Sequence, residues 1–256
     1  VSSSSLEESR AAFRIVILFA SILVGIIGVL VFFFLKITDE DNIDSMLVRK
    51  PGIKDFKTLL KLFSIWLLMI IVLCAYVGYK VTDIFTLYAH EVMNYDQVES
   101  AWVGTYMLYL RPILGVVVGL YADRTRASLV IWIGFLLMLL GSVFFGSGIL
   151  APSLVVLFFM SVTAMAIGVY GIRSLYFAAL QEGNVPLAIT GVAVGLISFI
   201  GYTPDIFMGP ITGYLLDSSP GELGHRHVFW MLSCFSAVGL LASVVFYLRS
   251  KRKSTP

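Results

Sequence analysis

The sequence predicts an all-α integral membrane protein with seven spanning helices, and three observations carry that expectation. Hydrophobic residues make up 59% of the 256 positions and charged residues 13%, about half the charged share of an ordinary soluble domain. With a mean hydropathy of +0.93, the chain has too little polar surface to face water on every side. Apolar runs of about 20 residues, the length that crosses roughly 30 Å of hydrocarbon, recur seven times. Lysine and arginine, finally, are divided very unequally between the two sets of loops.

The runs place spans at 13–35, 62–81, 101–121, 129–150, 153–175, 187–216 and 228–248. The sixth is long and interrupted by Gly201, Pro204, Gly209 and Pro210, so a kinked or tilted helix is expected there. Within it Gly191, Gly195 and Ser198 lie close to one helix face, and Gly209 and Gly213 repeat the spacing. Small residues so placed let another backbone approach. Of the 18 basic residues, twelve fall after spans 1, 3 and 7: Lys36, Arg49, Lys50, Lys54, Lys57 and Lys61, then Arg124 and Arg126, then Arg249, Lys251, Arg252 and Lys253. Arg10, Arg14, Lys80 and Arg226 lie on the opposite side, while Arg111 and Arg173 fall inside spans. The positive-inside rule then puts the C-terminus in the cytoplasm and the N-terminus outside, in a multi-pass protein of the cell (inner or plasma) membrane.

The same residues exclude several classes of function. A net charge of +2 is too small to point to nucleic acid. Cys74 and Cys234 sit in apolar runs, where a thiol behaves as a small hydrophobe. There is no phosphate-cradling loop, nucleophile–base pairing or zinc spacing, so neither an enzyme nor a cofactor nor a metal is expected. His90, His225 and His227 are expected in outer loops, with no recognised metal geometry. The first residues, VSSSSLEES, lack the basic start of a signal peptide. The initial Val points to a fragment or a processed product, or to trimming.

The connection 37–61 begins acidic, at Asp39, Glu40, Asp41 and Asp44, and turns basic. From Ile53, apolar residues recur at Phe56, Leu60 and Phe63, with Lys54, Lys57 and Lys61 on another face. That spacing describes an amphipathic helix lying on an anionic leaflet, or else a solvated linker. One span, a long linker and six closely connected spans make an odd pattern for a self-contained fold.

Gly119-Leu-Tyr-Ala-Asp123-Arg124-Thr-Arg126, between the third and fourth spans, resembles the G-x-x-x-D-R/K-x-G-R-R/K signature of the major facilitator superfamily. The resemblance implies two six-helix halves joined by a cytoplasmic linker, with a degenerate copy of the motif between helices 8 and 9. On that register, 1–36 holds the last helix of an N-terminal half, 37–61 is the inter-half linker, 62–249 is the C-terminal six-helix bundle and 250–256 a cytoplasmic tail. The partners implied are a missing N-terminal half, the bilayer and a small solute. Arg126 stands where the family has glycine, and Ala127 and Ser128 where it has basic residues. Gly119, Asp123 and Arg124 are the expected gating residues; a plain polar turn is the alternative.

An arginine at mid-bilayer costs at least ~2.5–3.5 kcal/mol and needs a reason. Arg111 lies near the middle of its span and is followed by Pro112. A guanidinium there offers paired hydrogen bonds to a carboxylate, phosphate or similar anion. Arg173, deep in the fifth span, reads as a second anion contact, as a snorkelling arginine or as a partner of Glu182. Tyr79 and Tyr109 are candidate substrate contacts, among tyrosines that also include Tyr76, Tyr106, Tyr170 and Tyr202. Lys80 and Asp83 share a helix face and suggest an ion pair near the end of the second span. Asp205, beside Pro204, can pair with Arg111, bind a proton or cap a broken helix. Lys80, Asp83 and Asp205 are thus the candidates for ion coupling. The expected function is a secondary transporter for a small anionic solute, working by alternating access. A seven-helix receptor also ends its third span in Asp-Arg, but Thr125 follows here and the last span holds no Asn-Pro-x-x-Tyr.

Overall fold

The computed structural model describes residues 3–34, 52–183, 185–186 and 189–253. Every regular element among them is helical, and seven helical segments are long and apolar enough to cross a membrane. The chain divides into two compact units, Val1–Leu47 and Val48–Pro256. In the first, α1 (Ser3–Phe34) is a single helix whose stretch Arg14–Phe34 is a candidate span. Residues 37–51 of the expected linker, including its acidic run, lie outside the described residues.

The second unit begins with α2 (Ile53–Lys61), a short amphipathic helix. It buries Leu59 completely, while Phe56 stays exposed. The second span is longer than the sequence suggests. It runs through α3 (Phe63–Val81), a 3₁₀ turn at Thr82–Ile84 and α4 (Phe85–Glu91). Thr-Asp-Ile looks like an exit from the bilayer, yet the chain tightens there and continues as helix for another seven residues. Asp83 therefore lies inside a 29-residue span rather than near its end.

The third span, α5 (Gln97–Asp123), begins on a capping box. The Glu99 amide donates to Asp96 Oδ1 at 2.7 Å, and the Asp96 amide donates back to Glu99 Oε2 at 3.1 Å, satisfying two of the donors a helix start leaves open. α6 (Ala127–Ser147) stops at Gly148, whose φ of 71° is left-handed, a conformation glycine adopts without a Cβ penalty. α7 (Val155–Leu175) and the one-turn α8 (Ala179–Glu182) follow. The sixth span breaks into α9 (Thr190–Gly201) and α10 (Pro204–Ser218). Pro204 has no amide hydrogen, so it opens α10 at the position where none is needed. The last span, α11 (Glu222–Lys253), carries His225 and His227, and His90 lies in α4. The three histidines are thus helical rather than in loops, and His225 is fully buried.

Within this unit α3 is central, with α11, α9, α7 and α10 packed around it, and α6 fits between α7 and α11. The second span buries 67% of its apolar window and the third only 17%. A close backbone approach joins α6 to α7, where a Cβ on Gly168 would lie 2.6 Å from the Gly134 carbonyl oxygen. By contrast a Cβ on Gly191, Gly195, Gly209 or Gly213 would meet nothing within 4 Å among the described residues. In the sixth span the close approach is instead at Gly201, where a Cβ would lie 3.0 Å from Val72 Cβ of α3.

Candidate functional site

Arg111 occupies the middle of α5, about 20 Å from either helix end at 1.5 Å per residue. Its side chain points at α3 and α7, with its guanidinium carbon 4.8 Å from the Tyr79 ring centre and 5.4 Å from that of Tyr170. Arg173 lies in the last turn of α7. Its guanidinium sits 3.7 Å from the same Tyr79 ring and 5.6 Å from that of Tyr76. One aromatic ring thus carries two guanidinium groups. A π-face attracts each cation by ~0.5–2 kcal/mol, which offsets part of the cost of holding like charges together. It supplies no hydrogen-bond acceptor in the ring plane. Arg111 Nε, Arg173 Nη1 and the Tyr170 hydroxyl are buried with no hydrogen-bond partner among the described residues.

The acidic neighbour is held elsewhere. Asp205, at the start of α10, pairs with Lys80 of α3 at 3.2 Å and accepts a hydrogen bond from the Tyr76 hydroxyl at 2.9 Å. The sequence suggests Lys80 with Asp83 and leaves Asp205 to pair with Arg111, bind a proton or cap a helix; the structure joins Lys80 to Asp205. Four residues bridge the two broken spans, since the Tyr76 ring lies 4.8 Å from that of Tyr202. The Tyr202 hydroxyl is in turn 3.1 Å from that of Tyr176. Tyr176 lies just beyond α7, where burial, with the Tyr202 hydroxyl second, raises its phenol above the usual tyrosine range, keeping it protonated.

Of the residues singled out from sequence, Arg111, Arg173 and Tyr79 come together, with Lys80 and Asp205 beside them. Tyr109 does not join them. Two residues before Arg111, it falls on the far side of α5 and is 68% exposed. Asp123 and Arg124 are exposed at the three-residue connection 124–126 between α5 and α6. Gly119 has open space where a Cβ would stand. Glu182 does not answer Arg173. It accepts hydrogen bonds from the Ser128 amide at 3.2 Å, from the Ser128 hydroxyl and from the Ser250 hydroxyl at 3.2 Å, tying α8 to the start of α6 and the end of α11.

Asp83 lines a cavity of about 210 Å³ together with Thr82, Thr86, Gly104, Arg111 and Tyr170. Thr82 and Thr86 escaped the sequence reading. Their signal was available, because threonines four apart flanking an aspartate share one helix face. No cluster of three or more metal-ligating side chains occurs among the described residues.

No family model matches the chain. It is 28% identical over 252 residues to the inner membrane protein YihN of Escherichia coli strain K12, an alignment that covers 94% of the chain and 59% of that protein. It is 22% identical over 251 residues to the inner membrane protein YqcE of the same strain, covering 95% and 58%. The chain therefore spans a little under three-fifths of the length of the curated relatives it matches. Its seven apolar helices and these similarities describe a multi-pass membrane protein of the inner-membrane kind.

Proposed function

We propose that the protein is a secondary transporter of the major facilitator type that carries a small anionic solute by alternating access. The observation that carries this reading is the pair of guanidinium groups on Tyr79, inside the membrane-spanning bundle and with unpartnered N–H atoms. Charges within a bilayer are expensive and ordinarily paired with one another or with carbonyls. A guanidinium that rests on a ring keeps its in-plane donors for a ligand, and an arriving carboxylate or phosphate accepts from them. The carboxylate nearby does not compete for that role, because Lys80 and Tyr76 hold Asp205.

Two further features support the reading. The second and sixth spans are interrupted at 82–84 and 202–203, beside Lys80, Asp83 and Asp205, and broken helices commonly frame the substrate and ion sites of such transporters. The end of α5 with Gly119 and Asp123, followed by Arg124, corresponds on the proposed register to the family's cytoplasmic gate. In this scheme the bundle Val48–Pro256 is one half of the machine, an N-terminal half ending in α1 is the other, and the C-terminus is cytoplasmic. The transporter needs no cofactor and no enzymatic step.

The test is uptake in vesicles by the full-length protein, screened over carboxylates, phosphates and sulfonates. Arg111→Ala is expected to lower uptake about a hundredfold, the upper range for a lost hydrogen bond to a charged group, with unchanged insertion. Arg111→Lys should recover only a small part, since an ammonium lacks the planar fork. Undiminished uptake by Arg111→Ala, for any anion carried by the wild type, would overturn the assignment.

A further inference from the structure

The cavity beside Arg111 holds a second kind of chemistry. Its volume, about 210 Å³, equals that of roughly seven waters in the liquid, far more than a nitrate or sulfate needs. Arg111 reaches it from α5 and Asp83 from the 3₁₀ turn, and no ion pair joins the two among the described residues. The Thr82 hydroxyl already donates to the Tyr79 carbonyl at 2.7 Å, so towards the cavity it is an acceptor. The Tyr170 hydroxyl, in a residue only 2% exposed, has no partner among the described residues. Gly104 keeps the space open: a Cβ there would lie 2.7 Å from Thr86 Oγ1.

We infer that this cavity receives the hydroxylated end of an organic anion, with Asp83 and Thr82 accepting hydrogen bonds from its hydroxyls while its acid group lies on Arg111. This rests on the anion reading above and narrows it to a class of substrate. A bare inorganic anion would leave most of the space unfilled and face the Asp83 carboxylate. A purely cationic ligand would face Arg111. A zwitterion satisfies both groups but not the local charge, because Arg111, Arg173 and Lys80 against Asp83 and Asp205 leave one positive charge. A hydroxylated monoanion neutralises that charge and gives Asp83 the donors it lacks.

The experiment uses matched pairs that differ only in hydroxyl groups: propionate against glycerate, and hexanoate against gluconate. Each is titrated against the purified full-length protein, with the shift in melting temperature read as binding. The wild type should prefer the hydroxylated member of at least one pair by about tenfold or more, since a site built around hydroxyls discriminates strongly against analogues lacking them. Asp83→Leu should bring the two affinities together. Asp83→Asn, which conserves shape, and Thr82→Val should narrow the gap if the leucine variant fails to fold. Binding that depends on Arg111 but shows no hydroxyl preference, or the same preference in all three variants, overturns the inference and leaves the anion site standing. Absence of Arg111-dependent binding by all four compounds overturns both.

Discussion

Two buried polar regions of the bundle are built in opposite ways. At the Glu91 end, His225 is fully buried, and its Nε2 donates to Glu91 Oε2 at 3.0 Å. Around it Tyr88 meets the imidazole edge-on at 5.3 Å and stacks on Phe158 at 5.9 Å, while Phe145 and Phe229 stack at 4.8 Å. There one imidazole nitrogen is paired with a carboxylate and the ring is enclosed by aromatic side chains from four helices, while Nδ1, also buried, has no hydrogen-bond partner among the described residues. In the middle of the bundle Arg111 and Arg173 have rings but, among the described residues, no carboxylate partner, and each leaves a buried N–H unpartnered there. A side chain paired with a carboxylate of another helix holds the two helices together. An unsatisfied cation costs stability, and its persistence calls for a ligand.

That contrast fails or sharpens on what each region does when broken. The largest effect is expected for Arg173→Gln. Uptake by the full-length protein should fall tenfold to a hundredfold, the range for a lost hydrogen bond to a charged group, while the melting temperature in detergent stays level or rises. A lower melting temperature with normal uptake per folded molecule would make Arg173 as structural as His225. The aromatic layer should respond the other way. Phe145→Ala in soluble cores would cost ~3–5 kcal/mol. In lipid the transfer part of that cost is small, because the alternative surroundings are also apolar, so ~2 kcal/mol of lost packing is expected. It should appear as a lower melting temperature with uptake per folded molecule preserved. His225→Leu should cost ~1 kcal/mol, since the Glu91 side chain is 35% exposed and can turn to water. The double change with Glu91→Leu should then melt no lower than the single one.

The seven spans were legible because each is a predominantly apolar run of spanning length, and Arg111 because a charge in such a run is conspicuous. Which residue answers which was not legible. Lys80 and Asp83 are three apart and read as neighbours, yet the 3₁₀ turn after Val81 separates their surroundings and Lys80 reaches Asp205, 125 positions later. The end of the second span was misplaced where polar residues interrupt a helix that continues, at buried Thr82 and exposed Asp83. Small-residue spacing pointed to Gly191, Gly195, Gly209 and Gly213, whereas the tight approaches use Gly134 with Gly168, and Gly201 against Val72. Periodicity identifies a face, but only the fold says what that face meets.

The smallest expected effect isolates what Tyr79 contributes. Its ring lies 4.8 Å from one guanidinium and 3.7 Å from the other, and a phenylalanine keeps the same face. Tyr79→Phe should leave substrate affinity within about twofold, because cation–π attraction belongs to the ring. Tyr79→Leu removes the face while keeping an apolar side chain, and with it ~1 kcal/mol of attraction at each cation. The two guanidinium groups are then free to move apart, and affinity should fall about fivefold with little change in melting temperature. Equal losses in both variants would show that the hydroxyl, not the ring, does the work, and the contrast between a ring-held cation site and a carboxylate-held histidine would have to be withdrawn.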